Sequence, residues 1–201
     1  MKRSVGRYVR SGYGGASTTT QRLGGTISNA GALYSVLTPG EATPEPEPAA
    51  RIDRALLAGR SANEIMDAVV EAVRPVDGTQ DSEASRKAIK GSLSDVLERF
   101  PDANLLELTE EQRAFAIERY VALDVFQRYC LDIGKIVQDN APNATAVLSR
   151  LKDIREYIRE TVTAAFRKLR TAGQALNMLR VSQIAGAALL QAFQTFQQDG
   201  L

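Results

Sequence analysis

Ser149-Arg-Leu-Lys152 places a serine three residues ahead of a lysine, a spacing by which some acyl-transfer enzymes activate a hydroxyl. Both residues fall on the polar side of a helical pattern, and so short a match reads as coincidence. Asp124, Asp132 and Asp139 recur on one helical face and could be drawn as metal ligands. Arg128 and Lys135 stand between them, and alternating signs at spacings of three and four read as a solvated, mutually supporting row. Cys130, the single cysteine, lies near the apolar side of the same helix and reads as a small buried hydrophobe; alone, it excludes an intrachain disulfide. The complete absence of histidine removes Ser-His and Cys-His pairs, imidazole metal ligands and the base that most hydrolytic mechanisms use. No Gly-Lys-Ser or Gly-Lys-Thr run makes a phosphate loop, and Gly12 and Gly14 do not open a dinucleotide motif after a strand. These residues predict a non-enzymatic protein with no cofactor and no metal.

Binding chemistry is better represented. The first forty residues contain no acid but carry Lys2, Arg3, Arg7, Arg10 and Arg22 among Tyr8, Tyr13 and many glycines. Arginine with tyrosine suits phosphate neutralisation and base stacking, and suits docking onto a protein equally well. A second basic flank, Lys152, Arg155, Arg159, Arg167 and Arg170, is interrupted by Glu156 and Glu160 and reads as a solvated helix face. Over 201 residues the formal net charge is only +1, so any electrostatic bias is local. No apolar run approaches the roughly 18 to 20 residues of a membrane span, and no signal-type apolar core follows Met1. The expected location is the cytoplasm.

The elements that must position these residues are helical. We divide the chain into a basic head over 1–37 with a weak helix over 18–37, a Pro/Glu linker over 38–50, and a helical bundle over 51–201. Gly12, Gly14 and Gly15 cost backbone entropy, so residues 1 to about 16 are expected to be either disordered or fixed by contact with something else. Gly24, Gly25 and Gly31 argue against the helix that follows. Ser61-Ala-Asn-Glu64 and Thr109-Glu-Glu-Gln112 are capping boxes. The second opens a long antiparallel hairpin over 109–172, which turns at Asn140-Ala-Pro-Asn143 and organises the bundle. Its first helix carries Phe115, Ala122, Phe126, Tyr129, Ile133, Ile136 and Val137 on one face, with Ile117, Tyr120 and Val121 off that face. Those three must be more deeply buried or touch a partner. In the second helix Val147, Leu151, Ile154, Ile158, Val162, Ala165 and Leu169 recur every ~3.67 residues, favouring a straight helix in a globular bundle over a coiled coil. Truncating Leu151 or Ile158 to alanine should therefore cost about 2 to 5 kcal/mol. A last helix, from about Val181, has no charge before Gln198 and shows Phe193 and Phe196 on its apolar face; it packs across the hairpin or meets another subunit. The fold class is all-α.

Five stretches together resemble one family: Gly6-Arg-Tyr-Val-Arg-Ser-Gly-Tyr-Gly-Gly15 with Arg22-Leu-Gly-Gly25 and Ala30-Gly-Ala-Leu-Tyr34; Leu57-Ala-Gly-Arg-Ser-Ala-Asn-Glu-Ile65; and Leu108-Thr-Glu-Glu-Gln-Arg113. In that order they resemble the B component of the Qat anti-phage defence cassette. The resemblance implies a cytoplasmic protein without a known catalytic motif, encoded beside an ATPase, an enzyme similar to 7-cyano-7-deazaguanine synthase, and a TatD-like nuclease. It implies an adaptor or substrate protein that binds the synthase-like enzyme, with the ATPase as a further partner, self-association open, and nucleic acid as the alternative. Members usually carry a proline-rich segment, with glycine after the initiator methionine, ahead of the glycine-arginine motif; here the motif begins almost at once. If the synthase-like enzyme modifies that segment, its acceptor is expected to be absent from this chain, and we assign no modification site. The residues expected to face a partner are Arg3, Arg7, Tyr8, Arg10, Tyr13, Arg22, Ile117, Tyr120, Val121, Phe193 and Phe196.

Overall fold

The computed structural model describes residues 2–40, 52–139, 143–169 and 176–199, with the side chains of Lys2, 133–139 and Asp199 outside that description. Most of the linker, the centre of the Asn140-Ala-Pro-Asn143 turn, and the expected contributions of Ile133, Lys135, Ile136, Val137, Asp139 and Arg170 therefore lie outside the described residues. Within them the chain is helical and has no strand: α1 (Lys2–Arg7) runs into a single π-helical turn (Tyr8–Gly12), followed by α2 (Ala16–Arg22), α3 (Gly24–Leu37), α4 (Arg54–Leu57), α5 (Ala62–Val73), α6 (Gln80–Arg99), α7 (Glu110–Asp139), α8 (Ala144–Leu169) and α9 (Met178–Asp199). None of these helices is long and apolar enough to cross a membrane.

Local chemistry explains the helix starts. Ser61 accepts from the Glu64 amide while Glu64 accepts from the Ser61 amide, a complete capping box. Thr109 and Gln112 exchange the same pair of bonds ahead of α7, with the Thr109 amide donating to Gln112 Oε1 at 2.9 Å. Asn143 caps α8 by accepting from the Ala146 amide at 2.9 Å. Asn177 does the same for α9, which begins at Met178 and so ahead of the expected start near Val181.

Two helices collect most of the packing. α7 lies against α3, α6 and α8, while α9 lies against α1, the π turn, α2, α3 and α8. The apolar face of the last helix, which has no charge from Val181 to Gln198, is therefore covered by its own chain. Val181, Ala185, Ala188, Leu189, Phe193 and Phe196 are all buried, and an ionised side chain on those faces would be stranded without water. Ile117, Tyr120 and Val121 are also buried, so the first of the two alternatives for them is the one observed. In the α8 stripe Ile158 is only 1% exposed, whereas Leu151 is half-buried, so the core cost expected at both positions is now expected in full only at Ile158.

Gly31 shows why α3 tolerates its glycines. A Cβ there would lie 2.2 Å from Ser182 Oγ and 2.8 Å from the Met178 carbonyl oxygen, both on α9. The glycine costs helix propensity but allows the two backbones to approach. Alanine at Gly31 would gain about 1 kcal/mol of propensity and lose about 1–3 kcal/mol through collision with a carbonyl that cannot rotate away. At Gly24, where a Cβ meets nothing within 4 Å, only the gain applies. Urea denaturation should therefore show Gly31→Ala lowering the midpoint and Gly24→Ala leaving it unchanged or raised. Ile158→Ala should lower stability by about 2–5 kcal/mol; near-neutral values for both Gly31→Ala and Ile158→Ala would mean that these packing assignments are wrong.

Candidate functional site

The head folds onto the body through alternation. Val5, Tyr8 and Val9 are buried, while Arg3, Arg7 and Arg10, at spacings of four and three, remain exposed along the other side. At Gly14 and Gly15 the backbone takes φ of +77° and +107°, a region closed to most side chains, and the chain reverses into α2. The Gly15 amide donates back to the Val9 carbonyl at 2.9 Å. Of the alternatives of disorder or contact, the structure shows contact, and the contact is with this chain's own helices.

Polar groups fasten the docked head. Tyr8 donates its hydroxyl to Asp132 Oδ2 of α7 at 2.9 Å, and Tyr13 donates to the same oxygen. The two rings meet edge to face at 4.9 Å, and Tyr8 meets Tyr129 in the same manner at 5.2 Å. The Arg22 guanidinium lies 4.6 Å from the Tyr13 ring centre. On the other side, Arg10 Nη2 donates to the Gln197 carbonyl of α9 at 2.6 Å. Burial, then the hydrogen bond with Tyr13 and the Asp132 charge, pushes the Tyr8 phenol far above its ordinary range. The Tyr13 phenol is raised first by burial and then by its bond to Asp132.

Beneath this clasp lies a buried polar junction. Asp124 of α7 is 0% exposed, which overturns its place in a solvated charge row. It accepts from Thr26 Oγ1 of α3 at 2.5 Å, Ser85 Oγ of α6 at 2.7 Å and Arg128 Nε at 3.1 Å. Arg128 continues outward through Nη1 to Asp81 at 2.7 Å. Burial alone would lower the Arg128 guanidinium, but the charge and hydrogen bond of Asp124, followed by Asp81, hold it above its ordinary value. The neighbouring Tyr120 phenol is held well above its own, first by burial and then by the Asp124 charge.

Clasp and junction enclose a pocket of about 270 Å³ whose polar lining comes from Tyr8, Tyr13, Arg22, Asp81, Arg128 and Asp132. Its charges are balanced and its phenols are raised, so it offers hydrogen bonds and counter-charges rather than an activated nucleophile. Cys130 is pushed up to about 11 by burial, which keeps its thiol protonated and unreactive. Ser149 and Lys152 are exposed on α8. Among the described residues no group of three His, Cys, Asp or Glu could hold a metal ion.

Of the residues expected to face a partner, Tyr8, Tyr13 and Arg22 come together at the pocket, and Arg3, Arg7 and Arg10 form an exposed row beside it. Ile117, Tyr120, Val121, Phe193 and Phe196 do not belong to a surface; each is buried in the core of its own chain, because α3, α6 and α8 cover α7, and the head, α3 and α8 cover the apolar face of α9. Asp81, Asp124, Arg128 and Asp132 were missed as a site. The available signal was Asp124 itself, an acid inside the run Tyr120-Val-Ala-Leu-Asp-Val125.

A family model described as Qat anti-phage system associated protein QatB matches residues 14–196. The chain belongs to the QatB family. Membership makes it a component of an anti-phage defence system. The matched span includes Arg22 and the whole Asp124 junction and begins after Arg3, Arg7 and Arg10 of the head. No curated protein and no solved structure matches the chain significantly.

Removing the Asp124 carboxylate leaves Arg128, Thr26 and Ser85 without their shared acceptor. Asp124→Ala is expected to cost about 3–5 kcal/mol in chemical denaturation; a loss below about 1 kcal/mol would show that the junction contributes no more than a surface pair. The clasp has a pH dependence of definite sign. A phenol whose folded value lies above its ordinary 10.0 stabilises the fold fully below pH 10 and loses that contribution as the pH rises through the folded value. Phenolate absorbance of Tyr8 should thus be delayed beyond pH 10 and appear together with loss of the docked head, a delay that Asp132→Asn shortens.

Proposed function

We propose that this QatB-family chain is a non-enzymatic adaptor or substrate protein of its defence cassette, acting in the cytoplasm and binding the synthase-like enzyme encoded beside it, with the cassette ATPase as a further partner. The observation that carries this reading is the ordered head. Two tyrosines and Arg10 fix the helix and π turn against α7 and α9, so Arg3, Arg7 and Arg10 stand as a rigid row at the surface. A pre-ordered basic row loses little entropy on association, which favours recognition of an acidic protein surface.

The alternative, a nucleic-acid-binding module, would use the same arginines on phosphates. It gains less from the geometry, because base stacking needs accessible aromatic faces. Tyr8 is buried, and Arg22 covers the Tyr13 ring.

Co-purification with the synthase-like protein and with the ATPase tests the proposal. The wild-type chain should capture at least one of them, and Arg3→Ala/Arg7→Ala/Arg10→Ala should weaken capture on the order of tenfold, beyond the effect of Arg10→Ala alone, which removes only the bond to Gln197, while keeping the helical content. A wild-type chain that ignores both at micromolar concentration would sink the adaptor reading. Retention of DNA or RNA that falls steeply with salt and vanishes in the triple variant would support the alternative instead.

A further inference from the structure

Two charges in the pocket between head and body lack an ionic partner among the described residues. Arg22, at the end of α2, lies over the Tyr13 ring and makes no ion pair there. Asp132 of α7 accepts from the Tyr8 and Tyr13 hydroxyls through one carboxylate oxygen, and no described cation pairs with it. Tyr13 therefore stands between a lone guanidinium and a lone carboxylate, touching both. Since Arg22 Cζ is 4.6 Å from the ring centre and Asp132 sits on the ring's hydroxyl, the two charges lie within about 10 Å of each other. Arg128, whose side chain is 13% exposed, gives Nε to Asp124 and Nη1 to Asp81 and leaves Nη2 with no acceptor among the described residues.

This mixture of charges narrows the ligand. A phosphate or a lone carboxylate would enter beside Asp81 and Asp132, and a lone amine beside Arg22 and Arg128, so either meets repulsion together with attraction. An apolar molecule would strip water from four charged side chains. A zwitterion meets an opposite charge at each end. An ammonium bonded to the carboxylate, a carboxylate bonded to the guanidinium and one carbon between them span about 8 to 9 Å, which the gap admits. The cavity of about 270 Å³ has room for the rest of a small molecule, and Leu23 with the Tyr13 ring makes part of its wall apolar.

We propose that this pocket binds a free α-amino acid, its ammonium on Asp132 and its carboxylate on Arg22, with Arg128 beside it. Tyr8, Tyr13 and Arg22 come from the head and α2, whereas Asp81, Arg128 and Asp132 come from α6 and α7. A ligand held from both sides binds only the closed arrangement and so stabilises it. Amino-acid binding thereby sets how firmly Arg3, Arg7 and Arg10 are presented. The inference stands apart from the adaptor reading, because it concerns neither protein partner.

Calorimetric titration of the full chain with each protein amino acid in turn tests it. At least one should bind with a Kd below about 1 mM. Its decarboxylated amine and its deaminated acid should each bind about tenfold more weakly or worse. Asp132→Asn, which keeps an oxygen for the two phenols, and Arg22→Gln should each weaken the amino acid by about the same factor with unchanged helical content. In wild-type protein the bound amino acid should slow amide exchange of residues 2–12, a response that purely structural roles for Arg22 and Asp132 do not give. No amino acid binding at about 1 mM, an amine or acid that binds as well as its parent, binding that survives both substitutions, or binding that leaves exchange of the head unchanged would each overturn the proposal.

Discussion

A carboxylate with no exposed surface is tolerated only where donors converge on it, and Asp124 imposes that requirement on three helices at once. Thr26 reaches it from α3, Ser85 from α6 and Arg128 from its own helix. Apolar contacts among helices accept many small rotations and shifts, whereas a buried charge with fixed donors accepts few. We read the junction as the registry point of the bundle. It also has an outward consequence, because Arg128, held by Asp124 on one side and Asp81 on the other, forms a wall of the pocket over which the head closes.

The head depends on that arrangement and on α9. An isolated six-residue helix followed by one π turn would not persist in water, so its order comes from tertiary contact. Val5 and Val9 supply the burial, while Asp132 and Gln197 supply acceptors that orient it. α9 can serve as the common surface because its buried faces carry no charge and because Gly31 and Gly186 let α3 approach it closely. A Cβ at Gly186 would already touch Ile27 at 3.4 Å.

Features that act within a few residues were legible in the sequence. The capping boxes at Ser61 and Thr109, the cap at Asn143 and the stripe through Ile154, Ile158 and Val162 depend on spacing alone, and spacing is visible in a chain. What was not legible depends on which helix covers which face. Asp124 and Arg128 have the spacing of a solvated pair, and only the approach of Thr26 and Ser85 from distant segments makes them a core junction. Phe193 and Phe196 resemble a partner surface until α3, α8 and the head are seen to enclose α9. Tyr8 and Tyr13 meet at the pocket, but their acceptor, Asp132, lies more than a hundred residues away along the chain and no pattern joins them.

The picture is thus of a bundle registered by one buried acid, carrying a fixed basic head. Its central claim is that the head is part of the folded surface. Amide hydrogen exchange of residues 2–12 in the isolated protein tests this most directly. The account requires protection well above that of an unstructured peptide, lost selectively in Asp132→Ala while α7 and α9 stay protected. Exchange of the wild-type head at the unstructured rate, with the bundle protected, would contradict it.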